Sequence, residues 1–230
     1  MTKVVVALSG GVDSSVAAAL LVEQGYEVVG ATMRLWSAPG CEEENRCCTP
    51  QTRELAAQLA KQLGIPFYVL DAQQAFRQEV VQRFLDGYSR GDTPNPCVYC
   101  NRYLKWDYLW QFAQSIGADA IATGHYARLR RGTDGTYELW KGVDATKDQT
   151  YFLSLLTQQH LAHTLFPLGE YTKVEVRQIA HARQLPAADA PESQDLCFLG
   201  KRDYRDFLRE NAPQAVQPGE IVDRQGKVLG

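Results

Sequence analysis

The sequence lacks any apolar run long enough to cross a lipid bilayer, which takes about 20 residues in a helix. Residues 1–8 contain one lysine and neither a long apolar stretch nor a small-residue cleavage site, so we identify no signal peptide. These absences argue against a membrane protein and against export. We therefore expect a cytoplasmic protein that makes no contact with membranes.

A strong net charge is also missing. Lysine and arginine number 24 against 27 acidic residues, which gives a net charge of −3. A basic excess is the usual mark of a nucleic-acid-binding domain, and composition alone does not indicate one here. Basic side chains do cluster within residues 128–131 and 201–209, and such clusters are most often solvated surface.

Internal repeats and low-complexity tracts are absent from the 230 residues. Short apolar runs alternate instead with longer helical patterns, which predicts an α/β fold with a doubly wound, mostly parallel sheet and right-handed crossovers. We expect strands at 4–8, 27–33, 67–70 and 118–123, and helices at 14–24, 55–63, 75–89, 103–115 and 172–184.

The pattern changes after the last of these strands. Residues 127–131 and 137–140 flank a Thr-Asp-Gly turn and predict a hairpin, and two further short strands are expected within 218–230. An isolated hairpin is barely stable, so this end of the chain requires more sheet than it contains. We expect a catalytic domain at 1–200 and the beginning of a truncated second domain at 201–230.

Residues 9–15 read Ser-Gly-Gly-Val-Asp-Ser-Ser and join an apolar strand to a helix. Glycines allow close approach of the backbone to an anion, while serine hydroxyls and a helix N-terminus supply donors. No lysine follows the glycines, so this is not a Walker loop. Asp13 either helps to hold a magnesium ion or fixes the loop. The alternative is a tight strand–helix turn without a ligand.

Six cysteines without an export signal indicate metal binding or catalysis rather than disulfides. Cys97 and Cys100 form a C-x-x-C pair on a proline-rich loop leading into a helix, and Cys197 lies far downstream. Three interpretations compete: structural zinc with Cys47 or Cys48 as fourth ligand, a redox pair, and thiolates that act on sulfur with or without an iron–sulfur cluster.

The remaining cysteine of the acidic segment 40–49, Cys41, has no neighbouring residues that complete a metal site. We interpret Cys41, Cys47 and Cys48 as incidental.

The loop at 9–15 resembles that of the PP-loop ATP pyrophosphatases, which cut ATP between the α and β phosphates and adenylate a carbonyl oxygen. With the segments 93–101, 122–128, 147–153 and 193–198, the chain is similar to the bacterial tRNA-specific 2-thiouridylases from residue 8 to about residue 198. The resemblance implies that ATP, with magnesium, adenylates O2 of the wobble uridine of tRNA. Sulfur then displaces AMP to leave 2-thiouridine, and pyrophosphate is the other product.

The resemblance also implies roles for individual residues. Cys100 matches the catalytic nucleophile, Cys197 matches the cysteine that receives persulfide sulfur, and Asp13 is the third candidate catalytic residue. The ATP site would comprise Ala7, Leu8, Ser9, Gly10, Gly11, Val12, Asp13, Ser14, Met33 and Gly124. The tRNA contacts would comprise Asn95, Pro96 and Cys97 at the target base, with His125, Lys147, Asp148 and Gln149.

Two features leave alternatives open. His125 matches a position near the adenylate and is equally well interpreted as an ordinary structural histidine. Many members of the family carry aspartate where this chain has Cys97, and the substitution favours a 4Fe–4S cluster held by Cys97, Cys100 and Cys197 over a two-cysteine relay. The sulfur donor would be a persulfide-carrying protein or sulfide, and another adenylating enzyme with the same loop is the rival function.

Overall fold

The computed structural model describes residues 1–40, 49–191, 196–200, 202–217 and 219–230. Cys41, Cys47 and Cys48 lie outside these ranges, as do three residues of the motif at 193–198 and Lys201. Interpretations of those residues therefore stay predictions.

Five parallel strands form the central sheet, in the order β3-β2-β1-β4-β7. Val4, Val5 and Val6 of the middle strand are fully buried because helices cover both faces of the sheet. The predicted α/β fold with a parallel sheet is confirmed. The strands are β1 Lys3–Ala7, β2 Glu27–Arg34, β3 Phe67–Asp71, β4 Ala120–Ala122 and β7 Thr164–Leu165.

The predicted hairpin is also present, as an antiparallel pair of β5 Ala127–Arg131 and β6 Tyr137–Lys141. The two strands expected near the end of the chain are reduced to one antiparallel bridge between Val222 and Val228.

Nine α-helices lie within the described ranges: α1 Val12–Glu23, α2 Pro50–Leu63, α3 Gln73–Phe76, α4 Arg83–Ser89, α5 Pro96–Tyr99, α6 Leu109–Ser115, α7 Gln158–Ala162, α8 Lys173–Ala182 and α9 Tyr204–Asn211. A π-helical segment, π1 Arg77–Gln82, joins α3 to α4, and a second, π2 Cys100–Tyr108, joins α5 to α6. Two 3₁₀ turns span Thr150–Leu153 and Pro213–Ala215.

The helix expected to start at residue 103 starts at Pro96 instead. The Asn95 side chain accepts a hydrogen bond from the Cys97 N–H at 3.0 Å, and proline is favoured at the first helical position, so this boundary prediction was wrong. Cys97 and Cys100 consequently lie on the first turns of a helix, and not on the loop before it.

A second core, which we call the Phe cluster, packs beside the sheet and contains Phe76, Phe84, Phe198 and Phe207. Its rings meet at centroid distances of 5.6 to 6.4 Å, mostly edge to face. Phe207 belongs to α9, so part of the chain beyond residue 200 packs into the same core. The division into domains at residue 200 stays a prediction.

Helices within the described ranges fall short of the length and apolar character that a membrane span requires.

Candidate active site

The strand order of the sheet indicates where a ligand would bind. The chain leaves β1 toward β2 on one side, while β4 lies on the other, and ligands of such sheets bind at the carboxyl ends of the strands where the order reverses. Here the loop at 8–11 follows β1 and the loop at 123–126 follows β4. A Cβ atom at Gly124 would lie 2.7 Å from the Asp13 carbonyl carbon and 2.8 Å from the Ser14 nitrogen. The two loops are therefore in contact.

Glycine is required in the loop after β1. Gly10 has φ +74°, and a Cβ atom there would lie 2.2 Å from the carbonyl oxygen of Thr52 in α2. Both the left-handed conformation and the close approach exclude a side chain. Gly11, in extended conformation, is the N-cap of α1.

Hydroxyl groups hold the loop on α1. Ser14 Oγ donates to the Gly11 carbonyl at 3.1 Å and lies 3.2 Å from Ser9 Oγ, and Ser15 Oγ donates to the same carbonyl at 2.9 Å. The backbone N–H groups of the first turn of α1 have no intrahelical partners, and the helix dipole adds partial positive charge there. This end of α1 can bind an anion such as phosphate.

Most of the other predicted ATP-site residues can contribute only backbone. Leu8 and Val12 are buried in the apolar core between the sheet and α1, and Ala7 is the last residue of β1. Met33, in β2, is partly buried and packs against the Phe cluster and against the core around Trp106. The side chains of Leu8 and Val12 are therefore not available to a ligand, and the Leu8 N–H already donates to the Ala31 carbonyl at 2.8 Å.

Asp13 is held by two residues that sequence reasoning missed. Lys173 Nζ, at the start of α8, lies 2.6 and 2.8 Å from the two carboxylate oxygens, and Tyr126 Oη donates to Oδ1 at 2.8 Å. The Lys173 side chain is 9% exposed and that of Asp13 35% exposed. The Lys173 N–H also donates to Asp144 Oδ2 at 2.9 Å. Asp13 therefore fixes the loop to α8.

This ion pair bears on the magnesium interpretation of Asp13. Both of its oxygens already face the Lys173 ammonium, and Oδ1 also accepts from Tyr126, so these donors compete with a metal ion for the carboxylate. The geometry supports the other interpretation, in which Asp13 orders the loop. Among the described residues, no three side chains of His, Cys, Asp or Glu lie close enough together to hold a metal ion.

The predicted tRNA-contacting segment 147–149 is attached to the loop after β4. Gln149 accepts from the Tyr126 N–H at 3.1 Å and donates its own N–H to the Tyr126 carbonyl at 3.3 Å. The Asp148 carboxylate accepts from the Thr150 hydroxyl at 2.9 and 3.0 Å, at the start of a 3₁₀ turn, and the Lys147 N–H donates to the Asp144 carbonyl at 3.1 Å. The structure thus brings this segment to the site.

His125 is buried beside the loop. Its Nδ1 lies 2.7 Å from Thr123 Oγ1, and its Nε2 lies 3.4 Å from Lys105 Nζ. Burial, and secondly the charge of Lys105, hold the pKa of His125 well below its usual value. The imidazole is neutral, and its Nε2 accepts from the ammonium because an ammonium has only donors.

The cysteines divide into two kinds. Cys100 and Cys197 are partly buried and both pack against the Phe cluster, whereas Cys97 is exposed. Within the described ranges the three do not form a metal-ligating group.

The residue after Cys100 has an unpaired acceptor. Asn101 is buried and donates from Nδ2 to the Phe152 carbonyl at 3.0 Å, while its Oδ1 has no hydrogen-bond partner among the described residues. Leaving a buried acceptor without a partner costs roughly 1–3 kcal/mol. A polar ligand that donates a hydrogen bond to Oδ1 would remove this cost.

The chain matches known proteins along its whole length. A family model described as the tRNA methyl transferase HUP domain matches residues 2–201. The chain belongs to this family. A relative from Chloroflexus aurantiacus, called tRNA-specific 2-thiouridylase MnmA, is 50% identical over 232 residues, which cover 100% of this chain and 64% of the relative. One of the same name from Carboxydothermus hydrogenoformans is 52% identical over 233 residues, covering 99% and 64%.

The resemblance to the 2-thiouridylases is confirmed, and the chain spans just under two thirds of the length of these relatives. A solved 4-thiouridine synthetase–RNA complex with bound ATP superposes with a TM-score of 0.52 at 20% identity, covering 93% of this chain and 51% of that one. That likeness shows a shared fold. The family description names methyl transfer, whereas the name of the relatives refers to thiolation. The residues of the site have to distinguish these two reactions.

We predict that Lys173→Met destabilises the fold. Removing one member of a buried pair costs roughly 3–5 kcal/mol, and the partial exposure of Asp13 lowers this, so we expect a loss of about 2 kcal/mol in urea unfolding. Arg209→Met, which removes a surface pair with Asp206, should cost less than about 1 kcal/mol. Equal losses for the two variants, or no coupling between Lys173→Met and Asp13→Asn in a double-mutant cycle, would contradict the role of the pair.

We also predict a pH dependence that His125 causes. Its pKa is lowered on folding, so below pH 6.5 the unfolded chain binds more protons and stability falls as the pH falls. From pH 7.5 to 5.5 the His125 share is at most about 1.4 kcal/mol, the limit for a histidine that stays neutral in the folded chain. His160, whose pKa burial also lowers, adds to the wild-type slope. Urea unfolding at both pH values should show a flatter slope in His125→Asn than in the wild type. An unaltered slope in His125→Asn would be the contrary result.

Proposed function

We propose that this chain is the catalytic part of a tRNA-uridine 2-sulfurtransferase, which adenylates O2 of the wobble uridine with ATP and then replaces that oxygen by sulfur. The observation that carries the proposal is that Cys100 and Cys197 both pack against one apolar cluster, the Phe cluster. Cys100 belongs to π2, a segment that also contacts the loop after β4 at the carboxyl edge of the sheet. Segment π2 begins with Cys100. It also contains Lys105, whose ammonium contacts His125 in the loop after β4. Sulfur transfer uses two thiols in this position, whereas a methyl transfer does not require them.

ATP would bind at the carboxyl edge of the sheet. The N-terminus of α1 and the loop at 8–11 would hold the phosphates through backbone N–H groups and the Ser9 and Ser14 hydroxyls. Met33 and Gly124 would contact the nucleotide from β2 and from the loop after β4. The loop therefore positions the α-phosphorus for in-line attack by the base oxygen, with pyrophosphate as the leaving group. Magnesium bound to the phosphates would spread their charge.

The target uridine has to leave its stack to reach this edge, at a cost of roughly a few kcal/mol. Asn95, Pro96 and Cys97 lie at the start of α5, where Asn95 caps the helix and Cys97 is exposed, and we propose that they contact the base. Lys147, Asp148 and Gln149 would contact the tRNA beside it. His125 is buried, so its proposed share in tRNA binding acts through the residues that it holds.

The sulfur step would follow from the adenylate. The terminal sulfur of a Cys197 persulfide attacks C2, and AMP leaves with the former O2 of the base. The Cys100 thiolate then attacks the Cys197 sulfur and breaks the S–S bond, which leaves 2-thiouridine and a Cys100–Cys197 disulfide. An external thiol supplies the two electrons that reduce this disulfide. A persulfide-carrying protein then transfers its outer sulfur to the reduced Cys197 thiolate and leaves as a thiol. Sulfide loads Cys197 by a different route, in which it attacks the Cys197 sulfur of the disulfide before reduction and releases the Cys100 thiolate.

The cluster hypothesis has less support from the geometry than from the sequence. Three thiolates are needed to hold a 4Fe–4S cluster with one open iron, and the exposed Cys97 does not join Cys100 and Cys197 in a metal-ligating group within the described ranges. We therefore favour the relay. Residues 201–230 are proposed to begin a second domain, to which α9 would contribute while packed on the Phe cluster.

We predict that Cys100→Ser still converts ATP to AMP and pyrophosphate in the presence of tRNA but forms at least about 100-fold less 2-thiouridine, because only the sulfur step uses its thiolate. Asp13→Asn should reduce both reactions. The measurement combines pyrophosphate release with mass spectrometry of tRNA nucleosides, at saturating tRNA, on anaerobically purified protein.

Cys97→Asp is the matched control, since many members of the family carry aspartate at this position. The relay predicts that this variant still thiolates tRNA and that active wild-type protein contains neither iron nor sulfide. Loss of thiolation together with loss of bound iron would establish the cluster. Unchanged thiolation in Cys100→Ser would refute the proposed sulfur step.

A further inference from the structure

The phosphate-binding loop has no positive side chain of its own. Residues 8–15 contain no lysine or arginine, and the cation that reaches the loop from α8, Lys173, already faces the Asp13 carboxylate. A bound nucleoside triphosphate carries several negative charges, and P-loop proteins meet them with a lysine inside the loop. A cationic side chain from outside the loop would add to the backbone N–H groups of α1 in binding these phosphates.

Lys105 has the right surroundings for this task. Its ammonium is partly buried, it lies 3.4 Å from His125 Nε2, and no carboxylate pairs with it among the described residues. Its helical neighbour Arg102 differs, because that guanidinium pairs with Asp107. The Lys105 ammonium is therefore not neutralised by an acidic side chain of the described residues.

The position of Lys105 connects the two halves of the site. Through His125 it contacts the loop after β4, and in that loop Gly124 packs against the backbone of Asp13 and Ser14. On its own helix it follows Cys100 by five residues and the unpaired Asn101 acceptor by four. Lys105 is thus linked to the phosphate-binding loop through residues 124 and 125, and to Cys100 through segment π2.

His125 fixes the ammonium without neutralising it. The ring is held by Thr123 on its Nδ1 side and packs against Trp106 at 5.8 Å, so its orientation is set independently of Lys105. A neutral imidazole accepts one hydrogen bond from the ammonium, and the two other N–H donors of Lys105 bond to no acceptor among the described residues. A carboxylate in the same place would instead have cancelled the charge.

We propose that Lys105 is a further residue of the nucleotide site, whose ammonium, oriented by His125, binds a phosphate oxygen of ATP. This inference rests on the proposed use of ATP. It assigns His125 the part of a positioning residue, in addition to its proposed share in tRNA binding. A phosphate of the tRNA backbone offers the same chemistry, and the partial burial of Lys105 next to the loop favours the nucleotide.

The test measures binding of adenosine, AMP, ADP and α,β-methylene-ATP to the chain by calorimetry, without tRNA. We expect Lys105→Met to weaken binding of phosphate-bearing nucleotides roughly 10- to 100-fold, as for the loss of a hydrogen bond to a charged group, and to leave adenosine binding unchanged. The shortest nucleotide that shows the loss identifies the phosphate. Lys105→Arg should retain most of the affinity, and Lys61→Met, at an exposed lysine of α2, should retain all of it.

Several results would overturn the inference. Wild-type affinity of Lys105→Met for all four ligands would do so, and so would an equal loss for adenosine, which indicates a structural role. Weaker tRNA binding with unchanged ATP binding would assign Lys105 to the RNA backbone. Wild-type protein without phosphate-dependent affinity would overturn the proposed function as well, whereas failure of thiolation alone leaves the assignment of Lys105 intact because tRNA is absent from the assay.

Discussion

The ion pair between Asp13 and Lys173 is the contact on which the site depends. It joins the first turn of α1 to the first turn of α8, across 160 residues of chain, and Tyr126 brings the loop after β4 to the same carboxylate. Gln149 in turn holds the backbone of Tyr126. One carboxylate therefore fixes the relative positions of the phosphate-binding loop, the β4 loop and the segment proposed to contact tRNA.

The same contact determines how charge is distributed around the nucleotide. Because Lys173 is used to order the loop, phosphate binding relies on backbone N–H groups, serine hydroxyls and the dipole of α1. Buried His125 supports Lys105 while staying neutral, since burial and that ammonium both disfavour its protonation. Lys173 therefore orders the loop, whereas Lys105 is the cation that we propose for binding the nucleotide.

Much of this arrangement is visible in the sequence, where local signals are strong. Three consecutive buried valines predict β1, and the Gly-Gly pair followed by serines predicts the turn into α1, because both patterns depend on residues close together in the chain. The motifs also identify Cys100 and Cys197 as a pair, although the helix that carries Cys100 starts seven residues before the predicted position because Asn95 and Pro96 initiate it.

What the sequence does not reveal depends on distant partners. Lys173 follows an ordinary helix cap formed by Thr172 and Glu175, and nothing local connects it with Asp13. Lys105 resembles any surface lysine until His125 is placed beside it. The two-residue strand β7 and segments π1 and π2 have no distinct sequence pattern, since packing selects them rather than propensity.

The central claim is that ATP activates O2 of a tRNA uridine, and an isotope experiment tests it most directly. A tRNA that carries ¹⁸O at O2 of the wobble uridine would be incubated with the enzyme, ATP and a sulfide source, and the AMP analysed by mass spectrometry. The account predicts one ¹⁸O atom in each AMP for every 2-thiouridine formed. AMP without the label, while thiolated tRNA accumulates, would contradict it.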